Sequence, residues 1–87
     1  MARYQILYWR DIPAQVRVEG GHEDVSLELD PRAQQRIDSV AMQLGLQGTD
    51  AYLEQWHWSD PREREGSAQD VAAAIKRELE TKLDSAD

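Results

Sequence analysis

The fold class is decided by residues 25–45, which read VSLELDPRAQQRIDSVAMQLG. Apolar and polar residues alternate from Val25 to Leu29, and this period of two predicts a half-buried strand. Asp30 and Pro31 then predict a helix start, because Asp30 can accept an early amide hydrogen and a proline fits the first helical position. A strand therefore gives way to a helix within this stretch.

The predicted helix carries one apolar stripe at the i, i+3, i+4 and i+7 spacing, formed by Ile37, Val40, Ala41 and Leu44. Gly45 can end the helix in the left-handed conformation, and Leu46 is expected to fold back on the stripe. A single stripe predicts that one side of the helix packs against a sheet.

Two further strands are predicted before this stretch. Residues 3–9, RYQILYW, are rich in aromatic and β-branched types, which favours a strand that ends before Pro13. Residues 14–19 alternate cleanly, and Gly20-Gly21 can supply a hairpin turn. With the strand that precedes the helix, they form a predicted three-stranded meander.

The C-terminal half predicts a fourth strand and a second helix. Residues 50–56 fit either a helix or a strand, while residues 55–62, QWHWSDPR, alternate as a strand that Pro61 restricts to a sheet edge. Ser67 stands at capping-box spacing from Asp70 and opens the last helix. That helix carries a stripe of Val71, Ala74, Ile75, Leu79 and Leu83, and residues 83–87 are expected to fray.

The predicted element order is βββαβα, in a single domain formed by residues 1–87. Each helix offers only one apolar stripe, so the economical packing has two layers. We therefore predict an α+β fold, with an antiparallel sheet of about four strands and both helices on one face of it.

Composition limits the compartment and the partners. The chain has 87 residues, a formal net charge of −7 and no cysteine. The acidic balance repels phosphate backbones and anionic lipids, so neither nucleic acid nor a membrane is an expected partner. The apolar run at residues 6–9 is too short for a signal peptide, and the lack of cysteine fits a reducing compartment. These features predict a cytoplasmic protein.

No catalytic, metal or cofactor site is predicted. His22 and His57 lack metal-ligand spacing, and the glycines match no phosphate-binding or dinucleotide-binding loop. Glu54, beside Leu53 and close to Trp56, is the acidic residue best placed for acid–base chemistry. The absence of a catalytic grouping favours a role that does not require this chain to be an enzyme on its own.

Six aromatic residues are the most informative feature: Tyr4, Tyr8, Trp9, Tyr52, Trp56 and Trp58. A chain this short cannot easily bury all of them, and tryptophan and tyrosine dominate interface energies. Trp56 is assigned to the core. A protein partner is expected to contact an exposed Trp9 ring, Gln55 and His57, with His57 on the face opposite the neighbouring tryptophans.

Two segments carry a resemblance to a known family: residues 2–16, ARYQILYWRDIPAQV, and residues 49–56, TDAYLEQW. Over nearly its whole length the chain resembles a small bacterial family described as virulence factor, and a similar module stands at the C-terminus of conserved virulence factor C. There it is fused to a NifU-type scaffold domain and helical repeats. Stand-alone members are often encoded near methylenetetrahydrofolate reductase-like and corrinoid methyltransferase genes. The family has no agreed catalytic residues to transfer.

The resemblance implies a non-enzymatic accessory or protein-interaction domain, because a module that occurs both free and fused is typical of such domains. The second hypothesis is a small subunit that completes a metabolic enzyme in one-carbon or methyl-group metabolism. In that case His57 or Glu54 would contribute to a shared active site. A stoichiometric enzyme partner is required only by the second hypothesis.

Overall fold

The computed structural model describes residues 1–85. In chain order its elements are β1 (Ala2–Trp9), β2 (Ile12–Gly20), β3 (Glu23–Glu28), α1 (Pro31–Leu44), α2 (Asp50–Glu54), β4 (Trp56–Trp58), β5 (Arg62–Arg64) and α3 (Ala68–Ser85). The α+β class and the order βββαβα are confirmed, with the fourth strand divided and a short helix before it. Of the segment expected to fray, Leu83 is buried in α3, and residues 86–87 lie outside the described part.

The sheet is antiparallel, with the strand order β3-β2-β1-β4 and β5 also paired to β1. β4 and β5 are therefore two halves of one edge strand that runs along β1. The open alternative for residues 50–56 resolves into both structures, since α2 ends at Glu54 and β4 begins at Trp56. Gln55 lies between them and caps the end of α2.

A bulge in β2 changes which face its residues occupy. The register pairs Leu7 with Gln15 but Tyr8 with Pro13, so Ala14 is an extra residue in β2. Pro13 was expected to separate two strands, yet it lies inside β2 and is buried. The edge strand forms hydrogen bonds with the amide and carbonyl groups of every second β1 residue. Tyr8 is one of these residues, so its amide and carbonyl groups point away from β2. The missing amide hydrogen of Pro13 therefore removes no ladder bond.

The first core cluster lies between the sheet and α3. Its buried members are Ala2, Ile6, Val16, Val18, Leu29, Ala33, Ala68, Val71, Ala72, Ile75, Leu79 and Leu83. The predicted α3 stripe is thus placed in the core, except that Ala74 is only half-buried. Gly20 permits this close packing, because a Cβ atom there would stand 3.2 Å from the Ala68 Cβ atom.

The second core cluster involves α1 and the end of the sheet. It contains Trp9, Ile12, Ile37 and Ala41, with Ala14, Val40, Leu46, Tyr52 and Trp56 packed against it. Alternation along β1 points Trp9 to the face opposite Ile6, so the two core clusters lie on different sides of β1. The expectation that both helices lie wholly on one face is modified accordingly. α3 covers one face, whereas α1 reaches from Ala33 in the first cluster to Ala41 in the second.

The boundaries of α1 follow the predicted chemistry. The Asp30 carboxylate accepts a hydrogen bond from the Arg32 amide at 2.9 Å, and Gly45 adopts a left-handed φ of 69°. Leu46 folds back as predicted, and its amide donates to the Ala41 carbonyl at 2.8 Å. Leu44, however, is 50% exposed and does not belong to the packed stripe. It follows that the buried stripe ends one turn earlier than its spacing predicts.

Candidate partner-binding edge

Trp9 is part of the core, which corrects the expectation that its ring is exposed. Its relative exposure is 0%, and its indole nitrogen donates to the Tyr52 carbonyl at 3.0 Å. The Trp9 and Tyr52 ring centroids are 5.4 Å apart, and Tyr52 meets Trp56 edge-on at 6.2 Å. These three rings hold α2 and the start of β4 against β1. Trp9 can therefore support a binding surface but cannot form one.

Trp58 is the tryptophan that the fold leaves accessible, with 43% of its surface exposed. It pairs with Leu7, while Trp56 pairs with Trp9, so both tryptophans share one face of the edge strand. Trp56 is half-buried against the second cluster, and Trp58 lies beyond it. Sequence reasoning placed the two rings on one face but did not single out Trp58. The signal was present in the polar residues Ser59 and Asp60, which follow Trp58 and provide no apolar cover.

The backbone of β4 also has an open side. The Arg10 amide donates to the Gln55 carbonyl at 3.0 Å, and the Ser59 amide donates to the Ile6 carbonyl at 2.8 Å. These bonds point the backbone groups of residues 55, 57 and 59 towards β1, because bonding direction alternates along an antiparallel strand. The amide and carbonyl groups of Trp56 and Trp58 therefore point outwards. We call these outward groups, together with the Trp58 ring, the β4 edge.

His57 is exposed, as predicted, and lies on the face opposite Trp56 and Trp58. Its ring stacks on Tyr8 with a centroid distance of 5.7 Å and an interplanar angle of 20°. The His57 Nε2 atom is 2.8 Å from the Arg10 carbonyl oxygen. Because a carbonyl oxygen only accepts hydrogen bonds, Nε2 carries the proton in this arrangement. Two contacts thus fix the orientation of an accessible imidazole.

Arg10 lies in the turn between β1 and β2, and its carbonyl is hydrogen-bonded to His57. Its φ is 57°, a left-handed conformation that a side chain with a Cβ atom rarely adopts. The Arg10 amide bonds to Gln55 and its carbonyl to His57, so both backbone groups are held by the edge strand. Gln55 and His57 are thus brought together at this turn, with Trp9 buried beneath. Sequence reasoning missed Arg10, since no pattern of residue types signals a left-handed arginine.

The ionisable residues His57 and Glu54 of this region are exposed at the surface. No group of three or more histidine, cysteine, aspartate or glutamate residues among residues 1–85 is arranged to hold a metal ion. Glu54 is exposed on α2, outside the ring contacts that Tyr52 and Trp56 make. Within the same part of the chain, no helix combines the length and the apolar character needed to cross a bilayer.

These features define a small α+β domain with an antiparallel sheet, one face under a long helix and an edge strand that carries an accessible tryptophan. Residues 7–87 match the model of the virulence factor family, and the chain belongs to that family. Comparisons with curated proteins and with solved structures gave no match.

Proposed function

We propose that this chain is a protein-interaction domain that receives an extended segment of a partner protein on the β4 edge. The observation that carries the proposal is the exposed Trp58 ring beside backbone groups that point away from the sheet. A strand added to such an edge gains ladder hydrogen bonds, and it gains specificity from alternate side chains. Tryptophan is also among the residues that contribute most to interface energies.

The rigidity of the β4 edge supports this use. The Trp9 ring packs on Tyr52, Tyr52 packs on the Trp56 ring of β4, and the edge strand bonds both backbone groups of Arg10. A partner therefore meets a strand that is already ordered, so binding loses less conformational entropy than it would with a mobile loop. The accessible imidazole of His57 within β4 and the half-buried Gln55 just before β4 provide hydrogen-bonding groups at this end of the edge strand.

The experiment compares capture of partners by variants of the full chain. Tagged protein is expressed in its source organism, and bound proteins are crosslinked and quantified. Trp58→Ala should reduce capture by about tenfold, the effect of losing one dominant interface side chain. Leu53→Ala is the matched control, because Leu53 is a large apolar residue that is 65% exposed on α2. Circular dichroism spectra should show that both variants remain folded.

A second pair of variants separates the ring from the backbone. Trp58→Pro removes the outward amide as well as the ring, at a position where proline breaks no bond to β1. It should bind more weakly than Trp58→Ala if the partner pairs as a strand. Equal capture by the parent, Trp58→Ala and Trp58→Pro chains would contradict the proposed surface.

The second hypothesis, a small subunit that completes an enzyme of one-carbon or methyl-group metabolism, is separated by the same capture. It requires a stoichiometric enzyme partner whose activity falls with His57→Ala or Glu54→Gln. The positions of these two residues give it no specific support, because Glu54 is exposed on α2 and the His57 ring is engaged by Tyr8 and Arg10. Loss of capture without such an enzyme would favour the interaction domain.

A further inference from the structure

A long groove separates α3 from the central strand on the face that carries Tyr8. It consists of two depressions of about 430 and 310 Å³, and both are lined by Tyr8, Leu79 and Lys82. One depression extends towards Arg62 at the start of β5, and the other towards α1. We call these two adjoining depressions together the Tyr8 groove. Both depressions are partly open to solvent.

Apolar and polar side chains both line the Tyr8 groove. The apolar side chains that contribute are Ile6, Ile12, Pro13, Val40, Ile75, Leu79 and Leu83. Most of them belong to the two core clusters and are held in place by packing on their other sides. The groove therefore offers fixed apolar contacts to an occupant, at little cost in side-chain entropy.

The charges along the groove are opposite in balance to those of the whole chain. Arg62 and Lys82 line it and form no ion pair with any residue that the structure describes. Glu78 also lines it, but its carboxylate is already bound by Arg64 at 2.7 Å. Asp11 and Arg36 line the depression towards α1, so the whole lining holds three cations and two carboxylates. In a chain with a net charge of −7, two cations that form no ion pair within the described residues, beside apolar side chains, form a local site for negative charge.

We propose that the Tyr8 groove binds an acidic segment of a partner protein, with apolar side chains on the groove floor and carboxylates beside Arg62 and Lys82. This inference rests on the proposed function in one respect, that the partner is a protein. An elongated occupant fits better than a small molecule, because two adjoining, partly open depressions share Tyr8, Leu79 and Lys82, whereas small-molecule sites enclose most of their ligand. Tyr8, which lines both depressions, also stacks on the His57 ring of β4.

The test uses a fluorescein-labelled decapeptide of alternating glutamate and leucine and the full chain labelled with nitrogen-15. Amide shifts should change at Tyr8, Leu79 and Lys82, and affinity should fall as ionic strength rises. Arg62→Glu with Lys82→Glu should weaken binding by at least about tenfold, since two attractive contacts become repulsive. The matched control is Arg17→Glu with Arg77→Glu, which changes the net charge equally but alters two cations that do not line the groove.

Each alternative result has a definite meaning. Equal weakening by the two double variants would overturn the inference, because net charge alone would then explain binding. Equal affinity for a lysine–leucine decapeptide would also overturn it, because the charge of the peptide would then not matter. Tight binding of phenyl phosphate or phenylacetate with shifts at Tyr8, but none by the acidic decapeptide, would replace the peptide with a small anion. If Arg62→Glu with Lys82→Glu leaves cellular capture intact while Trp58→Ala abolishes it, the groove inference is wrong and the proposed function stands.

Discussion

At the scale of single residues, the unusual position is Arg10, the left-handed residue that joins β1 to β2. Such a conformation costs roughly 1–2 kcal/mol for a residue with a Cβ atom. It is maintained because Gln55 and His57 bond to the Arg10 backbone, which ties the turn to the edge strand. Hydrogen bonds to residues distant in the sequence thus hold Arg10 in a backbone conformation that a residue with a Cβ atom disfavours.

Replacing Arg10 by glycine should therefore stabilise the fold. Arg10→Gly removes the steric cost of the left-handed φ, and we expect the free energy of unfolding to rise by up to about 1 kcal/mol. Asp11→Gly is the control, since Asp11 is the other residue of the turn and has no positive φ. That change should destabilise through added freedom of the unfolded chain. Urea denaturation measures both; a loss of stability in Arg10→Gly would show that the arginine side chain matters more than its backbone.

Trp9 should be the most sensitive of the three tryptophans to truncation. Trp9→Ala removes a fully buried ring and the bond to the Tyr52 carbonyl, and it should cost about 3–5 kcal/mol. Trp58→Ala should cost less than about 1 kcal/mol, since surface substitutions away from special features have small effects. Thermal unfolding of the two variants compares them directly. Similar losses for both would contradict the assignment of Trp9 to the core.

Trp9 and Trp58 show which features of the fold can be predicted from the sequence and which cannot. Alternation correctly put Trp56 and Trp58 on one face and His57 on the other. It could not tell which ring would be covered, because cover depends on α2, which lies within residues 50–56, a stretch that fits either a helix or a strand. Alternation also could not assign the faces at the start of β2. The extra residue Ala14 moves all β2 residues before it to the opposite face of the sheet.

At the scale of elements, the edge strand is interrupted between β4 and β5 and yet remains attached to β1. Ser59 makes this possible, because its amide donates to the Ile6 carbonyl at 2.8 Å and its hydroxyl accepts from the Ile6 amide at 2.9 Å. A side chain thus replaces a ladder carbonyl where the register shifts by one residue. Pro61 indicated the edge position correctly, but the bridging role of Ser59 required the tertiary register.

Removing the Ser59 hydroxyl should loosen both halves of this strand. Ser59→Ala leaves the Ile6 amide without its acceptor, and an unsatisfied buried donor costs about 1–3 kcal/mol. Ser59→Thr keeps a hydroxyl and should be closer to the parent. Hydrogen exchange of the Arg62–Arg64 amides should accelerate in the alanine variant, while Val16 and Val18 in β2 stay protected. Unchanged exchange at β5 would mean that β5 is held by its own pairing alone.

At the scale of the whole molecule, Asp30 joins the two long helices. Its carboxylate caps α1, and its amide donates to the Glu80 carboxylate of α3 at 2.8 Å. The bond from the Arg32 amide, together with the nearby Arg32 charge, lowers the pKa of Asp30 from its ordinary value of 3.8. The folded state thus favours the ionised form of the Asp30 carboxyl group. Through its carboxylate and its amide, Asp30 connects the meander, α1 and α3 at one point.

The sign of this pKa shift fixes a pH dependence. Because the pKa of Asp30 is lowered on folding, its contribution is present above the ordinary value of 3.8 and is lost as pH falls through the folded value. Asp30→Asn should therefore lower the denaturation midpoint at neutral pH, and the difference from the parent should shrink below about pH 4. Glu80→Gln keeps an acceptor oxygen for the Asp30 amide and serves as a comparison. A difference that grows on acidification would contradict the direction of the shift.

The central position of β1 determines the order in which the chain can assemble. β1 meets β2 across a two-residue turn, whereas its other side pairs with residues as distant as Arg64, which faces Ala2. Closing so long a loop costs entropy before its contacts form, so the meander is expected to assemble first and the edge strand last. During that interval β1 itself is the open edge. A partner strand that arrived then would compete with the chain's own β4 for the same hydrogen bonds.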